Sequence, residues 1–301
     1  MPLSANSRGA LMMTIAMGAF TTNDALIKSI THDLNIAQII FLRGIATAII
    51  LAVMAWSYGI LGQFRLMFNK AVILRSGFEI GATITYISAL SHIDLSVAAT
   101  ILLSLPLAVT FGAWAFFKEP VGWRRWLAII VGFVGVIIIL KPSPEAFVPA
   151  SLLAVITVFF TAGRDLTTRR INSAIPTLLV SLFAGLTNTV FGAVLIVPMG
   201  GWMPVSGHSV LIIVVAACFI IAGYLSIISA MRTGDISFIA PFRYTSLIFS
   251  LSLGYYLFQE RPDGYMTLGA SLIVASGLYA FYREKQRTRE TPAAKSTQTP
   301  N

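Results

Sequence analysis

Three charged residues stand where this sequence is otherwise apolar, and they are the side chains best placed to do chemistry. Glu79 lies near the middle of an apolar stretch over 70–91, Arg43 about seven residues into one over 36–58, and Asp24 about seven residues before the end of one over 9–31. A charge in hydrocarbon is costly unless it faces a cavity or a partner, so each of the three marks a binding, coupling or pairing role. At 1.5 Å per helical residue, Arg43 and Asp24 fall about 10 Å below the same face, with Glu79 roughly 5–8 Å deeper, and a long arginine spans either gap. An Asp24–Arg43 pair would fix helix packing or hold the arginine toward a substrate. Glu79 suits proton coupling or substrate contact, with a structural pair as the other reading. Arg243, within Phe242-Arg243-Tyr244-Thr245, offers donors to carbonyl, carboxylate or ring-nitrogen acceptors. Tyr86 and Tyr244 share these stretches; lining a cavity they would favour a planar substrate, and otherwise they pack or face lipid. The expected substrate-facing set is Arg43, Glu79, Tyr86, Arg243 and Tyr244, with Glu79 and Asp24 as coupling or ion-pair residues.

The elements that must position these groups follow from composition. Apolar residues make up 56% of the 301 positions and charged residues 11%, the balance of a membrane protein with no room for a separate soluble domain. Apolar windows place ten helices at 9–31, 36–58, 70–91, 95–117, 123–140, 148–168, 176–200, 208–231, 236–258 and 264–282. The net charge of +9 gathers beside these windows, at Arg124 and Arg125, Arg169 and Arg170, and Arg283 to Arg289, as topology determinants facing cytoplasm and anionic lipid. That distribution argues against a nucleic-acid partner and puts both termini on the cytoplasmic side. Pro106 should kink the fourth span and Pro241 break the ninth near its start. The small pair Gly77 and Gly81 serves close helix packing within the chain or, as the other reading, a homodimer. The tail over 283–301 is polar without apolar periodicity, and disorder is expected there.

A shift of 141 residues lays the chain over itself: Asp24 falls on Asp165, Gly44 on Gly185, Ser88 and Ala89 on Ser229 and Ala230, and Glu119 on Glu260. A single register held across a whole half indicates duplication. Each copy contains an odd number of spans, so the second sits upside down relative to the first, as in secondary transporters. The expected fold is therefore all-α and integral to the membrane, ten transmembrane helices as two inverted five-helix repeats. The repeats occupy 1–141 and 142–282, followed by a cytoplasmic tail over 283–301.

No catalytic constellation competes with transport. His32, His92 and His208 lack zinc spacing, lone Cys218 offers no thiolate cluster, and no P-loop, GxSxG or DDxxD-type motif occurs. No metal, organic cofactor or enzymatic activity is expected. A membrane-embedded enzyme and a non-transporting subunit are the remote alternatives.

Leu42-Arg43-Gly44 in the second span, together with Phe116-Phe117-Lys118-Glu119 and its repeat Leu257-Phe258-Gln259-Glu260, resembles the EamA branch of the drug/metabolite transporter superfamily from about Gly9 to Tyr282. The resemblance implies a multi-pass protein of the bacterial inner membrane that moves a small metabolite by alternating access. It places Glu119 and Glu260 at repeat boundaries, where helix capping comes before substrate contact. Within that superfamily, Ala240-Pro241-Phe242-Arg243-Tyr244-Thr245-Ser246-Leu247 and Asn23-Asp24 are similar to the riboflavin transporters of alphaproteobacteria. That similarity implies riboflavin uptake as the first substrate to consider, with an exporter of amino acids or related metabolites as its competitor.

Overall fold

The computed structural model describes residues 4–141, 148–172, 174–233 and 236–295. Long apolar runs bounded by polar caps make helices of nearly all of them: α1 (Ala5–Ser29), α2 (Ile36–Ser57), α3 (Lys70–Leu90), α4 (Leu95–Leu102), α5 (Leu105–Phe117), α6 (Trp123–Leu140), α7 (Ala150–Thr168), α8 (Thr177–Ile196), α9 (Gly207–Thr233), α10 (Ile236–Ile239), α11 (Thr245–Phe258) and α12 (Gly264–Lys295). Single 3-10 segments occupy Leu61–Phe68 and Ala240–Tyr244, and no strand occurs among the described residues. Eight spans among those residues are long and apolar enough to cross a membrane, α4 and α5 counting together as one. The other two expected spans are α3, which carries Lys70, Arg75 and Glu79, and the region from α10 to α11, which is broken into short pieces. Large apolar side chains such as Ile49, Val53, Val190 and Val194 remain exposed on α2 and α8, the exterior that lipid solvates.

The duplication is visible in how helices end. Lys118 after α5 and Gln259 after α11 are in register at the 141-residue offset, and both take left-handed φ values, 57° and 56°. The left-handed residue turns the chain back, so that the N–H of Glu119 reaches the carbonyl of Ala113 (3.3 Å) and that of Glu260 reaches the carbonyl of Gly254 (3.0 Å), satisfying carbonyls the helix end leaves open. The fourth span breaks at Leu103 and Ser104, ahead of Pro106, which takes the second position of α5. There its missing N–H removes no helical bond. Pro241 opens the matching 3-10 segment in the second half. At the other end of the chain α12 runs on to Lys295, through most of a segment whose polarity suggests disorder. Arg, Glu, Lys and Gln are good helix formers and extend a helix already nucleated in the bundle. Residues 296–301 of that tail lie outside the described residues.

The most extensive packing always joins one half to the other: α1 with α9, α2 with α8, α3 with α7, and α6 with α12. The α2–α8 crossing is a close one. A Cβ on Gly44 would lie 2.6 Å from the Thr189 hydroxyl oxygen, and one on Gly192 would lie 2.5 Å from the backbone nitrogen of Phe41. Gly81 meets Phe160 of α7 in the same way, whereas a Cβ on Gly77 would meet nothing within 4 Å.

One end of the bundle is heavily tied. It gathers the ends of α1, α3, α6, α8 and α11 with the starts of α2, α4, α9 and α12. Asn35 caps its own α2 through Ala37 N–H (2.8 Å) and donates to the carbonyls of Ile196, Met199 and Gly201 beyond α8. The Gln38 amide exchanges two hydrogen bonds with the backbone of Met203, donating at 2.8 Å and accepting at 3.0 Å. Lys28 donates to the carbonyls of Leu90 and Ile93 and lies 3.3 Å from Glu260. Lys141 pairs with Asp263 across α6 and α12. Partial burial works against the Asp263 carboxylate, but the Lys141 ammonium and the Met266 N–H outweigh it and hold its pKa below the usual aspartate range. Asp94 nearby is pushed the other way, first by burial and then by the Glu260 carboxylate.

Candidate functional site

Four helices, α2, α3, α8 and α9, leave an open cleft between them. Arg43 and Thr47 of α2, Arg75, Glu79 and Thr83 of α3, Asn188 of α8 and Tyr224 of α9 line it. Its charged element is built around Glu79. One turn earlier on the same helix, Arg75 approaches the Glu79 carboxylate at 3.3 Å. From α7, Arg164 lies 3.5 Å from both carboxylate oxygens. Arg164 is itself held by Asp165, Nε to Oδ1 at 3.0 Å, and Arg75 donates to Thr168 at 3.2 Å. Glu79 is thus shared by two guanidinium groups, the arrangement that lets a carboxylate stay in an apolar bundle.

Arg43 lies in the same cleft with Asp24 and Glu79 as its charged neighbours, but makes no hydrogen bond or ion pair among the described residues. The expected Arg43–Asp24 pair does not form. Both oxygens of Asp24 are taken, one by the Asn23 amide and the other by the Tyr86 hydroxyl, each at 2.9 Å. The substrate-facing set therefore divides. Arg43 and Glu79 line the cleft. Asp24 and Tyr86 bind each other beside it. Arg243, on the 3-10 segment before α11, is absent from the lining, and its strongest charged neighbours are Asp165 and Arg164. Tyr244 turns away into the core, where it is 9% exposed and its hydroxyl has no hydrogen-bond partner. The ring fits against α12 because residue 277 is glycine; a Cβ there would overlap the hydroxyl.

A buried hydroxyl without a partner contributes no hydrogen bond and carries a desolvation penalty. Tyr244→Phe is therefore expected to leave stability unchanged or raise it by about 1 kcal/mol, with transport intact. Thermal unfolding in detergent beside a transport assay checks this. A loss of transport at unchanged stability would return Tyr244 to the site.

Sequence reading passed over Arg75, Asn188 and the pairing of Arg164 with Glu79. Two signals were present. Arg75 precedes Glu79 by four residues, the spacing of a helical ion pair. The 141-residue register also carries Asn23-Asp24 onto Arg164-Asp165. In both halves the first residue donates to the aspartate after it, and the second half has added a charge. Asn188 gives no such signal; it matters because its side-chain oxygen is buried without a partner, as is one terminal nitrogen of Arg75.

A membrane-spanning helical bundle of cross-packed duplicated halves, with a charged cleft between them, defines a multi-pass membrane transporter. Residues 7–141 and 148–282 each match the EamA-like transporter family, and the chain belongs to that family. It is 28% identical over 299 residues to the S-adenosylmethionine uptake transporter of Rickettsia bellii, covering 94% of this chain and 97% of that one. It is 31% identical over 190 residues to the riboflavin transporter of Vibrio cholerae, covering 63% of each. A solved crystal structure superposes with a TM-score of 0.65 over 92% of this chain and 98% of the other, at 18% identity; that likeness bears on the fold.

Proposed function

We propose that the chain is a secondary transporter of the bacterial inner membrane that takes up riboflavin by alternating access. In this reading it has ten spans as two inverted five-helix repeats and both termini in the cytoplasm. The observation that carries the reading is Arg43, a guanidinium lining the cleft that makes no hydrogen bond or ion pair among the described residues. A group of that kind is held ready for acceptors that the cargo brings. The unpartnered oxygen of Asn188 and nitrogen of Arg75 add an acceptor and a donor, and Tyr224 supplies a ring face. Riboflavin answers these with ring carbonyls, ring nitrogens, a flat heterocycle and a polyhydroxylated five-carbon chain. The relatives' named cargoes, riboflavin and S-adenosylmethionine, share that plan of a nitrogen heterocycle on a five-carbon sugar-derived chain.

A second reading, uptake of S-adenosylmethionine, is favoured by one feature: Glu79 and Arg43 face the same cleft, as the two ends of a zwitterionic amino-acid head would require. An exporter of amino acids or related metabolites would use the same pair in the other direction.

The deciding experiment measures uptake of labelled riboflavin and of labelled S-adenosylmethionine in cells that neither make nor import riboflavin. Saturable riboflavin uptake is expected, falling about tenfold or more in Arg43→Ala, the effect of losing a charged hydrogen bond of ~1.5–3 kcal/mol. The unfolding temperature should change little in that variant, because no hydrogen bond or ion pair among the described residues is lost. Arg43→Lys should recover part of the activity, since an ammonium cannot reproduce the planar fork. Uptake of S-adenosylmethionine alone would establish the second reading, and uptake of neither by a correctly inserted protein would overturn both.

A further inference from the structure

The two ends of the bundle carry the same ion pair at the 141-residue register, but in different states. Lys28 and Glu260 correspond to Arg169 and Glu119. At the tied end, Lys28 and Glu260 lie 3.3 Å apart with side chains 15% and 5% exposed. At the opposite end, Arg169 and Glu119 lie 3.4 Å apart with side chains 54% and 51% exposed.

Glu260 does more than pair. Its carboxylate accepts from the N–H groups of Leu95 and Ser96, at 2.8 and 3.1 Å, and from the Ser96 hydroxyl at 3.1 Å. Asp94, the residue in position to cap α4, makes no such bond. A glutamate of the second half therefore caps the broken fourth span of the first half, and Lys28 clamps that glutamate to α1, α3 and the connection before α4. Glutamate is well suited to this place, because open helix N–H groups favour negative charge.

The asymmetry has a local cause. For its carboxylate to fold back in this way, Glu260 passes over Gly254, where an added Cβ would lie 2.5 Å from the Glu260 Oε2. The register partner of Gly254 is Ala113, which is buried and already has that Cβ. A methyl group thus fills the space Glu119 would need, and Glu119 reaches outward to Arg169 instead.

We propose that Lys28 and Glu260 are gate residues holding the tied end shut, and that the missing Cβ at Gly254, set against the Ala113 methyl, decides which end of the transporter rests closed. Neither residue lines the cleft; both act by positioning α4. The proposal rests on the transport reading for its purpose but not on the identity of the cargo.

The test measures access to the cleft from each side. Thr83, which lines the cleft, is replaced by cysteine in a Cys218→Ser background, and a membrane-impermeant maleimide is applied to either face of uniformly oriented proteoliposomes. Gly254→Ala is expected to raise the ratio of tied-end to opposite-end labelling about tenfold, the change that ~1.4 kcal/mol of bias produces. Ala113→Gly, which gives Glu119 room to fold back, should move the ratio the other way. In a Glu260→Gln background, Gly254→Ala should add little; a full effect there would assign the shift to helix stiffening and overturn the proposal. An unchanged ratio in both single variants, or movement of both in one direction, would also overturn it. Opposite shifts in a protein that carries neither riboflavin nor S-adenosylmethionine would support the gate and defeat only the cargo reading.

Discussion

Glu79→Ala is expected to leave no transport and a protein that fails to reach full abundance in the membrane. The carboxylate is the shared counterion of Arg75 and Arg164, at 3.3 and 3.5 Å, and Arg75 is only 8% exposed. Removing it strands two guanidinium groups in an apolar bundle; Arg164 keeps Asp165 but Arg75 keeps only the Thr168 hydroxyl. Breaking a buried pair by deleting one partner costs about 3–5 kcal/mol, a large part of what holds a domain together. Glu79→Gln retains an acceptor oxygen without the charge and should fall between. Because the penalty comes from the stranded cation, Arg75→Leu in the Glu79→Ala background should recover stability, a coupling that a double-mutant cycle reads directly. Thermal unfolding of the four proteins in detergent supplies it. If Glu79→Ala unfolds within a degree of the parent, the carboxylate is not the counterion that the geometry makes it. Transport should stay lost in the rescued double variant, since the cleft then lacks both groups.

Gly192→Val should damage folding and, because α2 and α8 are two walls of the cleft, widen the cleft in whatever protein folds. A Cβ at residue 192 would lie 2.5 Å from the Phe41 nitrogen. That nitrogen is backbone, so no rotamer change relieves the clash and the helices must separate. Overpacking costs ~1–3 kcal/mol even where side chains can move, and this position belongs at the top of that range. Separating α2 from α8 also disturbs Gly44 against Thr189 on the same crossing. The Ala variant should show a smaller loss of the same sign. A Gly192→Val protein as stable as the parent would mean that α2 and α8 cross elsewhere.

The duplication and most of the apolar spans were legible in sequence, because both depend on spacing along the chain. The short pieces into which the fourth and ninth expected spans break were not. A capping role for Glu260 followed from the family resemblance, while its target on α4 lies in the other half. The cleft was legible only by depth. A 1.5 Å rise per residue places Arg43 and Asp24 at the same level, but each residue also turns the helix by about 100°, and spacing within one helix does not say which way two different helices face each other. Both Asp24 oxygens are taken by Asn23 and Tyr86, and Arg43 is left to the cleft. Glu79 shows the complementary gap: one of its partners was four residues away, while the other, Arg164, came from the opposite half. Tyr244 beside Arg243 suggested a cavity lining, yet the glycine at 277 that draws it into the core lies on another helix.

Every major helix pair joins the first half to the second, and this bears on how the protein is made. Although the halves arose by duplication, neither is a folding unit. When α1, α2 and α3 have been synthesised, the surfaces they will bury are still uncovered, because their partners α9, α8 and α7 are not yet made. At about 5–20 residues per second the wait is on the order of ten seconds. Through that interval the nascent first half holds Asp24, Arg43, Arg75 and Glu79, and the ion pair it can already make within one helix is Arg75 with Glu79. The four-residue spacing of that pair makes it available to the ribosome-bound chain before Arg164 exists.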